Sequence, residues 1–305
     1  MISRLHPLLS VFPASVLAAL VLGASGQAFA QQTPSVEPAT VEPSSAAQSQ
    51  EPGELGPVRQ LLRQRMAHRL AALSAENGTD VTAVAGRFQL ANEYQDLPRG
   101  KLRDNLTPRV DIPLSPSTLL RVDMPFRWAD PNLKSEATFA GTSDLLARAI
   151  WRFVATPEYR FIVGSDFIFP TASNDQLGGG KYQVAPGVAA ALPIPEIKSV
   201  LTAIVQYFTS VGGDPSRKDI ALTRLRAELT TPWAEHWWTL VRSTLNVDGK
   251  RHAKSGMTLE LEMGRRLDDH WRIYGAPGVG LWGSDVQGNY EWSVEFGVRY
   301  MFYVF

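Results

Sequence analysis

Apolar and polar residues alternate at period two from Val84 to Phe305, and this alternation limits the possible folds more than any other feature. In the last segment the apolar side chains share one parity: Tyr290, Trp292, Val294, Phe296, Val298, Tyr300 and Phe302. Glu291, Glu295 and Arg299 occupy the other parity. Such alternation predicts a β-strand with one apolar and one charged face.

Turn signals divide this region into about twelve predicted strands, an even number, as single-chain bacterial barrels have. The predicted strands are 84–95, 105–114, 118–128, 142–155, 159–170, 182–192, 199–211, 219–231, 236–246, 255–266, 270–282 and 290–305. Short connections marked by proline or acidic residues alternate with longer connections rich in glycine or asparagine. Short turns at one end and long loops at the other are typical of outer-membrane barrels.

Periodicity alone does not distinguish a soluble sandwich, whose apolar face points inward, from a membrane barrel, whose apolar face points to lipid. Aromatic residues near the strand ends favour the barrel, because they fit two interfacial girdles. The aromatic residues concerned are Trp128, Trp151, Tyr159, Phe169, Tyr182, Trp233, Trp237, Trp238, Trp271, Trp282, Tyr290 and Trp292. We therefore predict an all-β fold, a transmembrane antiparallel up-and-down barrel.

Composition excludes several alternatives. The 305 residues contain 30 Lys and Arg against 30 Asp and Glu, and no cysteine. Zero net charge argues against a nucleic-acid binder, and the lack of cysteine excludes disulfides, thiolate metal sites and a cysteine nucleophile. The mean hydropathy of −0.11 resembles that of a soluble protein, but in a barrel it is the average of a lipid-facing half and a polar half.

The chain before the barrel divides into three segments. Residues 1–30 have a basic start, an apolar run and the cleavage pattern Ala28-Phe29-Ala30, which predicts a signal peptide and export to the outer membrane. Residues 31–54 lack large apolar residues and are predicted to be a disordered linker. Residues 55–75 predict a basic amphipathic helix, which either packs on or caps the barrel, plugs a pore, or lies on anionic lipid.

Charged residues of both signs share the parity assigned to the lumen. The candidates are Arg109, Asp111, Arg121, Asp123, Arg148, Arg152, Arg160, Asp166, Arg224, Arg226, Glu228, Arg242, Glu260, Glu262, Arg272, Glu291, Glu295 and Arg299. Unpaired charges are costly in a dry core. These residues therefore form either a salt-bridge network that closes the interior or a wet pathway whose charges set selectivity.

One series of strand-end and loop motifs resembles a known family. The motifs are Thr142-Ser143-Asp144-Leu145-Leu146, Phe169-Pro170-Thr171-Ala172-Ser173, Leu177-Gly178-Gly179-Gly180-Lys181-Tyr182-Gln183, Pro186-Gly187, Leu192-Pro193, Val205-Gln206-Tyr207-Phe208 and Gly212-Gly213-Asp214-Pro215. Their order resembles the transporter family named after the meta-pathway of phenol degradation (MetA-pathway). The resemblance implies an outer-membrane barrel that passes small hydrophobic or aromatic compounds, and it implies no catalytic residues.

Signals for enzymatic chemistry are weak. Gly178-Gly179-Gly180-Lys181 lacks the spacing of a P-loop, and His236, His252 and His270 lack the spacing of metal ligands. A hydrolase would need His236 with Glu235 near Ser243, or His270 with Asp268 and Asp269. We expect no cofactor, no metal and no enzymatic activity.

The sequence thus predicts a passive outer-membrane channel for small, hydrophobic or aromatic solutes. The alternatives are a closed barrel with a structural or adhesive role and, third, an outer-membrane hydrolase. The expected partners are the lipid bilayer, a small solute and the outer-membrane assembly machinery, with no nucleic acid. The assembly machinery would recognise the C-terminal strand ending in Phe305, which resembles the terminal signal of bacterial barrels.

Overall fold

A computed structural model describes residues 56–130, 138–233 and 236–302. The predicted signal peptide and linker, residue 55 of the predicted helix, and the terminal Phe305 lie outside the described residues. The elements are α1 (Pro57–Glu76), β1 (Gly86–Leu97), β2 (Lys101–Ser115), β3 (Thr118–Asp123), β4 (Phe126–Asp130), β5 (Phe139–Thr142), β6 (Leu145–Ala155), β7 (Arg160–Phe169), β8 (Lys181–Ile194), β9 (Ser199–Gly213), β10 (Ala221–Trp233), β11 (Trp237–Asp248), β12 (Lys254–Arg266), β13 (Trp271–Trp282) and β14 (Trp292–Phe302).

The strands form one closed antiparallel sheet. Consecutive barrel strands pair with each other when β3 with β4, and β5 with β6, are counted as one strand each, and β1 pairs with both β2 and β14, which closes the ring. Two barrel strands are each interrupted once: β3 and β4 are halves of one, and β5 and β6 are halves of the next. The prediction of a twelve-stranded antiparallel barrel with an N-terminal helix is confirmed.

The two interruptions lie side by side in the wall, and the first of them contains a proline. Pro125 separates β3 from β4 and has no N–H to donate to the ladder. Across the gap, the Ser143 N–H donates to the Pro125 carbonyl at 2.8 Å, at the point where β5 and β6 separate. This hydrogen bond joins the two interrupted strands at their breaks, so the wall stays closed there.

Strand boundaries agree with the predictions to within a few residues, except at the first hairpin. We predicted strands at 84–95 and 105–114, whereas β1 and β2 extend to Leu97 and from Lys101. A three-residue turn joins them, with positive φ at Arg99 (70°) and Gly100 (67°). The longer strands bring Arg103 onto the inner wall.

Burial separates the two faces of the wall. Inward-facing side chains such as Arg121, Asp166 and Glu228 are buried, whereas Phe88, Val188 and Phe296 on the outer face are exposed. An exposed apolar band that encircles a closed barrel is the surface that a bilayer covers. None of the helices in the described part of the chain is long and apolar enough to cross a membrane.

Most predicted girdle residues lie on the outer face at one end of the barrel or the other. Trp151, Trp233 and Trp271 are exposed near the short turns, and Trp128, Trp282 and Trp292 are exposed near the long loops. The prediction was wrong for two residues.

Trp238 is fully buried and Tyr290 is 2% exposed. Trp238 has the inward parity of Leu240, and its indole N–H donates to Glu262 Oε1 at 2.8 Å. Tyr290 turns into the barrel mouth, and its hydroxyl donates to Glu260 at 2.8 Å. Adjacent Trp237 and Trp238 point to opposite faces because neighbouring side chains on a strand alternate.

Helix α1 begins at Pro57 and ends before Asn77 and Gly78. Proline is well suited to this first position, because an N–H there would have no acceptor within the helix. Only its second half is covered, through Ala67, Leu70, Ala71 and Ser74. The first turns, including Val58 and Leu61, are exposed. The apolar stripe predicted along the whole helix therefore packs on the barrel only at its C-terminal end.

Candidate transport pathway

Strand register places opposite charges side by side on the inner wall. Arg109 lies directly across from Asp123, and Arg121 lies across from Asp111, on β2 and β3. Each arginine forms a two-pronged contact, with both distances 2.8 Å for Arg109 and 2.6 and 3.0 Å for Arg121. Planar guanidinium and carboxylate groups match in this geometry, so each pair also fixes side-chain orientation.

The pairing continues around the barrel. Arg148 of β6 lies across from Asp166 of β7, and its Nη2 donates at 2.8 Å. On the far side, Arg242 of β11 contacts Glu228 at 2.8 Å and Glu260 at 2.7 Å, on its two neighbouring strands. The paired charges therefore form a belt along the wall.

The segment after α1 lies inside the barrel at the short-turn end. Asp80 pairs with Arg160 of β7 at 2.7 Å, and both side chains are buried. Arg87 donates to the Gly78 carbonyl at 2.7 Å, and Arg272 donates to the Glu76 carbonyl at 2.8 Å. We call residues 77–85 the floor segment.

Apolar contacts also hold the floor segment against the inner wall. Val81 and Val84 pack against a buried cluster on the inner wall, formed by Leu119, Ile150, Ile162 and Ala189. The Asp80 carboxylate also accepts from the Thr82 N–H at 2.8 Å and from the Thr82 hydroxyl at 2.6 Å, which fixes the local turn. These contacts place residues 77–85, which follow the predicted helix 55–75, in the short-turn end of the lumen.

Two cavities occupy the lumen above this floor. The inner chamber, of about 500 Å³, is bounded by the floor residues Gly78–Val81 and by charged wall residues. The vestibule, of about 760 Å³, lies at the long-loop end and is bounded by residues of the loops 170–180 and 283–291. Six residues line both cavities: Asp123, Pro125, Arg127, Leu146, Phe208 and Arg224. These residues form the junction between them.

The structure places most predicted lumen residues around the inner chamber. These are Arg109, Asp111, Arg121, Asp123, Arg148, Asp166, Arg224, Arg226, Glu228, Arg242, Glu262, Glu295 and Arg299. Arg160 and Arg272 instead hold the floor segment and the end of α1. Glu260 is bound to Arg242 and Tyr290.

Two predicted lumen residues lie near the strand ends. Arg152 donates to the Pro116 carbonyl in a short turn at 2.8 Å. Glu291 is exposed just before β14, and its backbone N–H donates to the Asp96 carbonyl at 2.8 Å. Arg152 keeps the inward parity of β6 beside this turn, whereas Glu291 precedes β14, so strand parity does not apply to it.

Sequence reasoning missed several pathway residues. Glu93 and Glu295 face each other on β1 and β14 and line the inner chamber, yet Glu93 was not a candidate. Their hydrogen-bond donors are the neutral side chains of Gln95 and Tyr274. Alternation on β1 signals Glu93, but its carboxylate partner becomes visible only from strand register.

Loop residues also shape the vestibule. Val286 packs on Phe208 and Leu222, and the Leu177 carbonyl accepts from Arg127 at 2.7 Å and from Ser143 at 2.6 Å. Asp285 pairs with Arg251 at 2.7 Å and with Lys254 at 2.6 Å. The Lys254 and Arg251 hydrogen bonds lower the pKa of the Asp285 carboxyl to about 2.

The two histidine clusters do not form a nucleophile and base. His236 Nδ1 lies 3.5 Å from Arg266 Nη2. Ser243 has the outer-wall parity of Val241, and Glu235 lies outside the described residues. His270 Nδ1 lies 3.0 Å from the Met301 carbonyl and its ring stacks on Tyr300. The backbone N–H groups of Trp271 and His270 donate to the Asp268 carboxylate and lower its pKa. Asp268 therefore stabilises the turn.

Within the described ranges, no group of three or more His, Cys, Asp or Glu side chains is arranged to hold a metal ion. No protein-family model matches the chain, and no curated protein matches it either.

Solved structures show the same fold. The COG4313 outer membrane channel from Pseudomonas putida F1 has a TM-score of 0.59 at 10% identity, over 73% of this chain and 97% of that chain. The NanC porin has a TM-score of 0.51 at 10% identity, over 70% of this chain and 98% of that chain. At this identity the likeness establishes the fold alone, and this chain is therefore similar to two outer-membrane pore-forming barrels in architecture.

Proposed function

We propose that this protein is a channel of the bacterial outer membrane through which small solutes diffuse passively along a charged lumen. The observation that carries the proposal is the pair of cavities that share six lining residues. A barrel that served only as a scaffold would be stable with a filled core, as small barrels are. Here the inner wall instead surrounds space lined by charged side chains.

The solute class follows from the lining and from the family resemblance. The MetA-pathway resemblance supports small hydrophobic or aromatic compounds. The charged lining disfavours pure hydrocarbons, because such solutes would have to displace water from guanidinium and carboxylate groups. We therefore propose aromatic or other small organic molecules that carry a polar substituent.

The rival is a closed barrel with a structural or adhesive role. The floor segment favours it, since Asp80, Val81 and Val84 fill the short-turn end. We propose that the floor segment is a plug that moves during transport. The buried pair of Asp80 and Arg160 is the contact to weaken, because two charges hold the segment to the wall.

The test is conductance in planar bilayers together with solute uptake by liposomes. The wild type and Asp80→Asn are compared, with Asp175→Asn in an exposed outer loop as the matched control. The expected result is conductance in the wild type and a longer or larger open state in Asp80→Asn alone. No conductance and no uptake in any of the three proteins would favour the closed barrel.

A further inference from the structure

We infer that the vestibule is a binding site for small organic carboxylates, formed by the guanidinium groups of Arg103, Arg127 and Arg224. This inference rests on the proposed channel function and names the charge class that the channel takes from outside. Its starting point is a charge imbalance in one cavity. Arg99, Lys101, Arg103, Arg127, Arg224 and Arg251 line the vestibule, against three acidic residues.

Each of the three acidic residues already has its donors. Asp123 accepts both hydrogen bonds of the Arg109 guanidinium. Asp144 accepts from the backbone N–H groups of Gly179 at 2.6 Å and Ala172 at 3.3 Å. Asp285 is held by Arg251 and Lys254. The charges of Arg103, Arg127 and Arg224 are therefore not balanced by a carboxylate in contact with them.

Neutral groups hold these three guanidinium groups in place. Arg127 donates through Nε to the Asn105 amide oxygen at 2.7 Å and through Nη1 to the Leu177 carbonyl. Arg224 donates through Nε to Asn246 at 3.0 Å, and Arg103 donates through Nη1 to Gln95 at 3.4 Å. None of the three has a salt bridge within the residues that the structure describes, in contrast to the belt below.

Arg224 is the best-positioned of the three. Its guanidinium lies 4.7 Å from the centre of the Phe208 ring, which gives it a cation–π contact. Asn246, which accepts from Arg224, donates in turn to Asn289 at 2.7 Å, and Asn289 donates to the Gly283 carbonyl at 3.1 Å. Loop 283–291 thus fixes the orientation of Arg224 through Asn246.

The hydrogen bonds of Arg224 define what it is able to bind. With Nε bound to Asn246, the two terminal nitrogens are left without a protein acceptor among the described residues. Two parallel N–H donors of a guanidinium match the two oxygens of a carboxylate. At the junction of the two cavities, Arg224 therefore offers an end-on carboxylate site on the path inward.

Binding of 4-fluorobenzoate to the purified full chain in detergent micelles, followed by fluorine NMR, tests this inference without requiring conduction. The neutral probe 4-fluorobenzyl alcohol has nearly the same shape. We expect the carboxylate to bind at least about tenfold more tightly than the alcohol, the factor that a charge-assisted hydrogen bond supplies. Equal binding of the two probes, or no binding of either, would overturn the inference.

Variants locate the site. Arg224→Gln and Arg127→Gln should each weaken 4-fluorobenzoate binding about five- to tenfold and leave the alcohol unchanged. Lys218→Gln, in an outer loop and not among the vestibule residues, is the matched control and should bind as the wild type does. Arg224→Lys keeps the charge but loses the planar fork, so an intermediate affinity is expected. Unchanged affinity for 4-fluorobenzoate in both glutamine variants would show that the probe binds outside the proposed vestibule site and would overturn the inference.

The two failures are distinguishable. If the wild type binds 4-fluorobenzoate at Arg224 but conducts nothing, the carboxylate site stands and the channel function fails. If the wild type conducts but shows no preference for anions in a salt gradient and no probe binding, the channel stands and the carboxylate site fails. Heat-dependent migration in SDS gels confirms that each variant is a folded barrel.

Discussion

Arg299 of β14 reaches past β13 and binds Glu262 of β12, through Nη1 to Oε1 at 2.9 Å and through Nη2 to Oε2 at 2.8 Å. The Tyr274 ring, on the intervening strand, lies 3.9 Å from the guanidinium centre. The same Nη1 donates to the Asn77 carbonyl at 3.3 Å. One buried ion pair thus connects three strands of the wall with the start of the floor segment.

Glu262→Gln should destabilise the barrel by about 3 kcal/mol, because it leaves Arg299 charged and buried without a carboxylate. Unfolding in urea, followed by tryptophan fluorescence in lipid vesicles, measures the loss. Glu196→Gln is the matched control, since Glu196 pairs with Arg63 at a site where both side chains are more than half exposed. The control should change stability by about 0.5 kcal/mol or less. Equal effects of the two substitutions would contradict the assigned importance of the buried pair.

Trp238→Phe should cost about 1 kcal/mol, since it removes the indole N–H that donates to Glu262 while the ring remains packed in the interior. The same unfolding assay applies. Trp282→Phe, on the outer face at the opposite end, should have a much smaller effect because Trp282 is exposed to lipid. A larger loss from Trp282→Phe would mean that the outer-face tryptophan makes the greater contribution.

Gly264→Ala should be poorly tolerated. A Cβ at Gly264 would lie 1.9 Å from the Trp238 ring, so the indole must move, at a cost of about 1–3 kcal/mol. Gly212→Ala provides the comparison, because a Cβ there meets no atom within 4 Å. Near-ultraviolet circular dichroism should show an altered tryptophan environment in Gly264→Ala alone. An unchanged spectrum with wild-type stability would refute the predicted close approach.

The ion pairs that Asp285 forms with Arg251 and Lys254 should hold loop 283–291 in place until acid protonates the carboxylate; we call these ion pairs the latch. The pKa of Asp285 is lowered from 3.8 to about 2 by Lys254 and Arg251, so its pairing stabilises the folded loop fully above pH 3.8 and is lost as the pH falls through about 2. The chain has no cysteine, so a nitroxide attached at Gln287→Cys reports on this loop alone. We expect its mobility to stay low from pH 7 to about 3 and to rise near pH 2.

The control for the latch is Asp285→Asn in the same labelled background. Without a titrating carboxylate at this position, the loop should be mobile already at pH 7 and change little on acidification. A sharp mobility increase near pH 2 in this variant as well would assign the transition to another group.

Alternation predicted the strands and divided their residues between two faces, and the aromatic residues near the strand ends favoured a barrel over a soluble sandwich. The sequence therefore predicts that Arg109, Asp123 and Arg148 face inward. Their pairing required register, which the turns set: Arg109 meets Asp123 only because the β2–β3 connection is short.

Three features could not be predicted because they depend on packing between distant segments. Trp238 was placed in a girdle since a tryptophan at a strand end usually lies at the interface. Its burial follows from the space left above Gly264. The floor segment lacks alternation, and the vestibule depends on Leu177 and Val286, loop residues with no periodic signal.

The position of the floor segment has a consequence for assembly. It directly precedes β1, whose Arg87 binds the Gly78 carbonyl, while Arg299 of β14 binds the Asn77 carbonyl. β1 and β14 are the two strands whose pairing closes the ring. A segment bound to both strands of this seam supports the pairing that closes the ring. Without the segment, Arg87 and Arg299 would lose these backbone acceptors on both sides of the seam, so we expect seating of the segment and closure of the barrel to stabilise each other.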